Sequence, residues 1–222
     1  MDGRIDLHIH TLLSDGDLLP TEVLRRASCL GFAGLGFADH ADATNLEGIV
    51  EALRRLIADQ GGDYPFPVAV GVELTHVAPQ SIPRLARRAR AAGAQFVVVH
   101  GETLVEPVTP GTNRAALECP EVDLLAHPGL ITLEEARLAA AGGIYLELSS
   151  RRGHCLGNGR VAALASLAGA ALVVNSDAHA PSDLIDLEMA RRVAQGAGLD
   201  ADQAEAAVAT HPRALLQRAL GR

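Results

Sequence analysis

Lysine and tryptophan are missing from the sequence altogether, and all 19 basic residues are arginine. Chemistry that needs a primary amine is therefore excluded: a Schiff base, a phosphate-loop lysine or a carboxylated lysine bridging two metals. A ligand shared between two ions would have to be a carboxylate or a solvent oxygen. Aromatic residues make up only 3% of the chain, so no stacking platform for single-stranded nucleic acid is evident. Cys29, Cys119 and Cys155 are too few and too scattered for a disulfide framework or a cysteine zinc knuckle. Positive charge is outweighed, with a formal net charge of −8, which disfavours broad binding to polyanions. No apolar run approaches the ~20 residues of a membrane span. Met1-Asp2-Gly3-Arg4 leads into a strand without the charged start and apolar stretch of a signal peptide. These features read as a cytoplasmic protein that does not contact membranes.

What is present is 222 residues, 48% of them hydrophobic, enough for one sizeable core. Apolar runs at 4–10, 35–39, 67–73, 95–100, 123–126, 144–148 and 171–175 carry valine, isoleucine and leucine without strict alternation, as buried parallel strands do. Helical patterns lie between them, at 21–30, 45–59, 81–92, 132–141, 160–168 and 184–197. A final pair follows at 201–209 and 212–220, and a short helix is expected at 113–118. Several close on glycine, and the helix at 132–141 opens with the capping box Thr132-x-x-Glu135. Seven strands alternating with helices predict a single α/β domain over 1–222 with a parallel sheet. An open, doubly wound sheet fits the same pattern. Closure into a distorted (β/α)7 barrel is the better expectation, because nearly every strand ends in or near a ligand-type residue. A barrel gathers such residues at one mouth; an open sheet spreads them over several strand spacings of ~4.8 Å.

His8 and His10 alternate on the first strand and so project together. Further apolar runs end at His40, Glu73, His100, His127 and Asp177, with His179 two residues on and Asp15 just after the first strand. Imidazole and carboxylate together suit zinc, manganese or iron. Nine such groups exceed what one tetrahedral ion takes, and leaving them clustered without cations would be costly.

These residues resemble the polymerase-and-histidinol-phosphatase (PHP) superfamily. The matching motifs are His8-Ile9-His10-Thr11 with Ser14-Asp15-Gly16, Ala38-Asp39-His40, Gly71-Val72-Glu73, Val99-His100-Gly101, Ala126-His127-Pro128 and Asn175-Ser176-Asp177-Ala178-His179. They span essentially the whole chain in the family's order. Val99-His100-Gly101-Glu102 and Pro110-Gly111-Thr112-Asn113-Arg114 resemble short stand-alone histidinol-phosphatase-like members, which implies a seven-stranded barrel. The resemblance implies three divalent metal ions. His8, His10, Glu73 and Asp177 would hold the first; Glu73, His100 and His127 the second, with Glu73 bridging; Asp15, His40 and His179 the third. Asp15 stands where some members have histidine and adds negative charge.

The implied chemistry is phosphoester hydrolysis by a metal-activated hydroxide, with Glu73 and Asp177 at its centre. Arg151, Arg152 and Arg114 follow strands on mouth-side loops and are the candidates to grip phosphate. His154 is the candidate proton donor to the leaving group, and Glu102 and Asn113 are candidate substrate contacts. His76 is expected to pair with a neighbour, and His211 to mark a helix start. The arginines at 84, 87, 88 and 90 are expected on a solvated outer helix. The expected function is a phosphatase acting on a small phosphomonoester such as histidinol phosphate, with nucleic acid an unlikely partner. The alternatives are a nuclease or nucleotide phosphoesterase acting on nucleic-acid ends, and a non-catalytic, metal-stabilised scaffold. A carbon–nitrogen hydrolase of the related barrel type fits less well without a bridging lysine.

Overall fold

A computed structural model describes residues 3–221; Met1 and Asp2, where the sequence reading begins, lie outside them. The strands are β1 (Arg4–Ile9), β2 (Phe32–Phe37), β3 (His40–Ala41), β4 (Val68–Leu74), β5 (Phe96–His100), β6 (Leu124–Ala126), β7 (Tyr145–Ser149) and β8 (Leu172–Asn175). They alternate with α1 (Pro20–Cys29), α2 (Leu46–Gln60), α3 (Ile82–Ala92), α4 (Thr112–Leu117), α5 (Leu133–Gly142), α6 (Asn158–Ala168) and α7 (Leu187–Gly196). All strand pairs are parallel, in the order β1-β2-β4-β5-β6-β7-β8, with β3 an added short partner of β4. The result is a single-domain, nearly closed (β/α) barrel.

Two apolar layers hold it. Leu35, Phe37, Val70, Val72, Val97, Val99, Leu146 and Val174 belong to the cluster shared with the helices. Ile5, Leu7, Phe96, Val98, Leu124 and Val173 fill the inside, where Leu215 and Leu216 join them. Those two leucines come from α9 (His211–Ala219), which continues α8 (Ala201–Glu205) through a π-helical turn at Ala206–Thr210. The expected break between two helices is thus a wide turn in one run. His211 Nδ1 donates to Leu172 O at the start of β8, which fixes α9 across the N-terminal end of the barrel.

The second strand begins three residues before the expected start. Gly34 and Gly36 look like strand breakers in sequence, but a Cβ on Gly36 would lie 2.8 Å from both Leu7 and Phe96. The missing side chains make room for the inner core.

Closure between β8 and β1 has no regular ladder. One bridge joins Ile9 to Ala178, with His10 N donating to Ala178 O. Side chains complete the seam. Leu7 N donates to Asn175 Oδ1, and Ser176 N to the Asp6 carboxylate. Asp6 is fully buried and pairs at 2.9 Å with the equally buried Arg4. The β1 register also slips: Asp6 faces Leu35 and Ile9 faces Phe37, three residues against two. This bulge resets the alternation. Leu7 belongs to the inner core, whereas Ile9 belongs to the outer layer.

Candidate metal centre

The bulge aims His8 and His10 together into the C-terminal mouth, with ring centroids 5.0 Å apart. His40 enters from β3, Glu73 from β4, His100 from the last residue of β5, and His127 from just beyond β6. Asp177 and His179 follow β8, and Asp15 sits in the turn after β1. That turn is shaped by Asp39, whose carboxylate accepts from Thr11 N, Thr11 Oγ1 and Ser14 Oγ. Gly16 is required there, since a Cβ would meet the His10 carbonyl at 2.8 Å.

Glu73 is fully buried at the middle of the cluster. Its Oε1 lies 3.3 Å from His8 Nε2, 3.3 Å from His100 Nδ1 and 3.6 Å from His127 Nε2. Its Oε2 lies 2.8 Å from His40 Nδ1. Asp177 Oδ1 is 3.3 Å from His10 Nε2 and 3.8 Å from His8 Nε2. Asp15 Oδ2 is 3.4 Å from His40 Nε2 and 3.2 Å from His179 Nε2. All nine expected donors therefore meet in one place, though not in three separate sets: His10 also stands with Asp15, His40 and His179, and His40 with Glu73 and His100.

The donor set fits a cation cluster. His8 Nε2, both nitrogens of His10 and of His100, His127 Nδ1 and Glu73 Oε1 are buried without any hydrogen-bond partner. Orphaned buried polar atoms at this density are otherwise expensive. Metal–nitrogen and metal–oxygen distances of about 2.0–2.1 Å set a tetrahedral edge of about 3.3 Å, the separation at which several donors already stand. His127 and Asp177 also hold positive φ values, 25° and 53°, a conformation that non-glycine residues keep only where the surroundings enforce it.

Without cations the charges settle among themselves. Burial pushes His10 down to about 3. Burial also works against the charged form of His40, but Glu73 and Asp15 reverse it and raise the ring to about 10. His100 rises to about 9, because Glu73 and Glu106 outweigh its burial. Glu73 and Asp177 are held far below the carboxylate range, their burial overcome by the surrounding imidazoles.

Two functional carboxylates escaped sequence reasoning. Glu147, fully buried on β7, meets His8 Nδ1 at 2.8 Å and accepts from Asn175 Nδ2 and His127 N. With the carboxylate as acceptor, the His8 proton sits on Nδ1 and the Nε2 lone pair faces Glu73. A glutamate inside Ile144-Tyr145-Leu146-Glu147-Leu148 was the available signal, since a buried charge needs a partner. Glu106 lies in a loop without periodicity and gave none; it faces His76, His100 and His154. His76 pairs with it, as expected of a residue meeting a neighbour.

The candidate substrate contacts are placed unequally. Arg151 reaches the cluster: its Nη1 donates to Asp177 O at 3.1 Å and to His179 Nδ1 at 2.7 Å. Arg152 is exposed. Arg114 is tied to Glu118 and Glu134 on the outside of α4 and α5. Glu102 and Asn113 lock the base of a loop: Glu102 Oε1 accepts from Gly111 N and Asn113 N, and Asn113 Nδ2 donates to Pro128 O. His154 sits 3.3 Å from Glu106 and beside the His127 ring. In the outer ring Arg88 pairs with Glu47, and Arg90 with Asp123.

No family model matches the chain. A protein of Methanocaldococcus jannaschii, named as uncharacterized protein MJ1295, is 44% identical over 217 residues, 97% of this chain and 99% of its own length. The chain belongs to the MJ1295 family. A more distant relative is ribonuclease P protein component 3 of Methanosarcina acetivorans, 27% identical and matched over 96% of this chain and 88% of its own length. Among solved structures, a chain of an archaeal ribonuclease P with mature tRNA shares the fold, with a TM-score of 0.71, 18% identity and coverage of 97% and 91%.

The ribonuclease P relatives overturn two expectations. A phosphatase for a small phosphomonoester, histidinol phosphate included, is not what these relatives point to, and neither is a partner list that leaves out nucleic acid. The physical error lay in net charge. The value of −8 counts buried carboxylates such as Glu73, Asp177 and Glu147, which are spent on the imidazole cluster and do not describe the surface a strand meets. No helix among the described residues is long and apolar enough to cross a membrane.

Proposed function

We propose that this MJ1295-family protein is a metal-dependent phosphoesterase of the PHP type that acts on RNA, at a strand end. The observation that carries the hydrolytic part is the convergence of orphaned, buried imidazole nitrogens on Glu73 and Asp177. The kinship with proteins named ribonuclease P protein component 3 supports RNA as the substrate class. Burial supports an end: His8, His10 and Glu73 are 0–1% exposed, so the cluster is recessed rather than laid out on an open surface.

Divalent zinc, manganese or iron, when bound, would supply Lewis acidity that offsets charge building on phosphoryl oxygens. His8, His10, Glu73 and Asp177 would hold one ion, Glu73, His100 and His127 a second, and Asp15, His40 and His179 a third. The protein's own part is positioning. Glu147 fixes the His8 tautomer. Arg151, held by Asp177 O and facing Asp183, presents a guanidinium at the rim to orient a phosphate oxygen.

The test uses metal-reconstituted protein with 5′- and 3′-labelled single-stranded RNA, over a range of salt. The expected result is terminal cleavage with a steep salt dependence, lost by ~10²-fold or more in Glu73→Gln. Intact RNA with fully loaded wild-type protein would reject the reading. The names of the ribonuclease P relatives, which describe a component, favour one second reading, an RNA-bound scaffold without turnover. It predicts binding that Glu73→Gln leaves unchanged.

A further inference from the structure

We infer a fourth cation site on the rim of the mouth, which shares His100 with the second donor set above. Its donors are His76 Nε2, His100 Nε2 and the Glu106 carboxylate, with His154 Nε2 facing the same carboxylate. Glu106 Oε2 lies 3.0 Å from His76 Nε2 and 3.1 Å from His100 Nε2, and Oε1 lies 3.3 Å from His154 Nε2. The nitrogens and oxygen of His76, His100 and Glu106 all fall within 4.8 Å of one another. Three imidazoles and one carboxylate are a zinc-type set, and these separations match the tetrahedral edge of about 3.3 Å.

Hydrogen bonding accounts for only the His76–Glu106 pair of the arrangement. His100 is 3% exposed, and its Nε2, though close to Glu106, is not aligned to bond with it. His154 is also buried, with Nδ1 unpartnered. His76 holds a φ of 52°, a strained backbone that keeps its ring beside that of His100, at 4.8 Å between centroids.

His100 faces both ways, with Nδ1 toward Glu73 and Nε2 toward Glu106. A neutral imidazole offers one lone pair. Filling both sets at once therefore makes His100 a bridging imidazolate, its ring proton released to solvent, with Nδ1 on the Glu73–His127 set and Nε2 on the rim. The site also joins separate stretches: His76 after β4, His100 at the end of β5, Glu106 in the following loop and His154 after β7. A cation there pins that loop over the mouth. The site does not depend on the phosphoesterase reading.

The test loads the full-length chain with cobalt(II), removes free metal by gel filtration, and counts ions by mass spectrometry alongside visible absorption. His76→Asn is the variant, because asparagine tolerates positive φ and its amide is a poor ligand; Glu106→Gln is the second. Wild-type protein is expected to hold one cobalt more per chain than either variant, with an absorption band that both lose. Equal counts in all three proteins would overturn the fourth site, whatever happens to RNA. An intact one-ion difference without RNA cleavage would sustain the site and sink the phosphoesterase reading. A wild-type chain that takes up no cobalt would overturn both.

Discussion

Removing the Asp6 carboxylate isolates what holds the barrel shut. Asp6 accepts from Arg4 Nη2 at 2.9 Å, from Ser176 N at 3.0 Å and from His8 N at 3.2 Å. Arg4 is 0% exposed, and its other anchor is the Ile5 carbonyl. Asp6→Leu leaves that guanidinium buried without its counter-ion, which costs about 3–5 kcal/mol when one partner of a buried pair is deleted. The stranded Ser176 and His8 amides add to this. Total stabilities run to about 5–15 kcal/mol, so the variant sits near the edge of folding. For a chain of this size about 4 kcal/mol lowers the melting temperature by ~8–16 °C. Burial raises the Asp6 carboxyl above its ordinary range even against Arg4, so the pair itself carries a desolvation cost. The double variant Arg4→Leu/Asp6→Leu removes both charges and should recover most of the loss. Urea and thermal unfolding of wild type, both single variants and the double variant give the coupling. A single Asp6→Leu variant that unfolds within 1 kcal/mol of wild type, on the order of an ordinary surface change, would refute the account of the seam.

Two further outcomes follow from packing and charge. A Cβ on Gly71 would stand 2.5 Å from the buried Phe96 ring, so Gly71→Ala should cost about 1–3 kcal/mol by overpacking, and Phe96→Leu in that background should relieve it; equal losses with and without Phe96→Leu in urea titrations would exclude the clash. In metal-free protein, His40 and His100 titrate near 10 and 9, above the ordinary 6.5; the stability they contribute is complete below pH 6.5 and fades as pH rises through 9–10. On the acid side, Glu106, held at about 2 first by the His100 imidazole beside it, contributes stability that is present above 4.5 and fades as pH falls towards 2. Urea midpoints of chelated protein that stay flat between pH 7 and 10 would contradict the alkaline half of this.

Much of the site was legible because most donors close or closely follow an apolar run, and a barrel brings strand ends together. His8 and His10 needed only alternation, although a bulge two residues earlier resets which side that alternation faces. Strand β2 was read short because Gly34 and Gly36 carry no hydrophobic signal; their value is the space they leave for Leu216 and Phe96. Strand β3 is two residues long and has no pattern to read. Glu147 could have been found as a charge inside a buried run. Glu106 could not, since only folding brings its loop to His76 and His154. The substrate class was misjudged from whole-chain charge, which does not report where the carboxylates are engaged.

The seam between the first and last strands has a consequence for the order of assembly. His8 and His10 stand on one bank and Asp177 and His179 on the other, with some 170 residues of chain between them; the Leu7–Asn175 contact alone spans 168. Such distant pairings form late. During synthesis these two imidazoles are made long before Asp177, their carboxylate partner across the seam. On the proposed metal-dependent reading, ion uptake at the inner pocket would be an end-of-folding event, and a truncated product lacking β8 would be left without it.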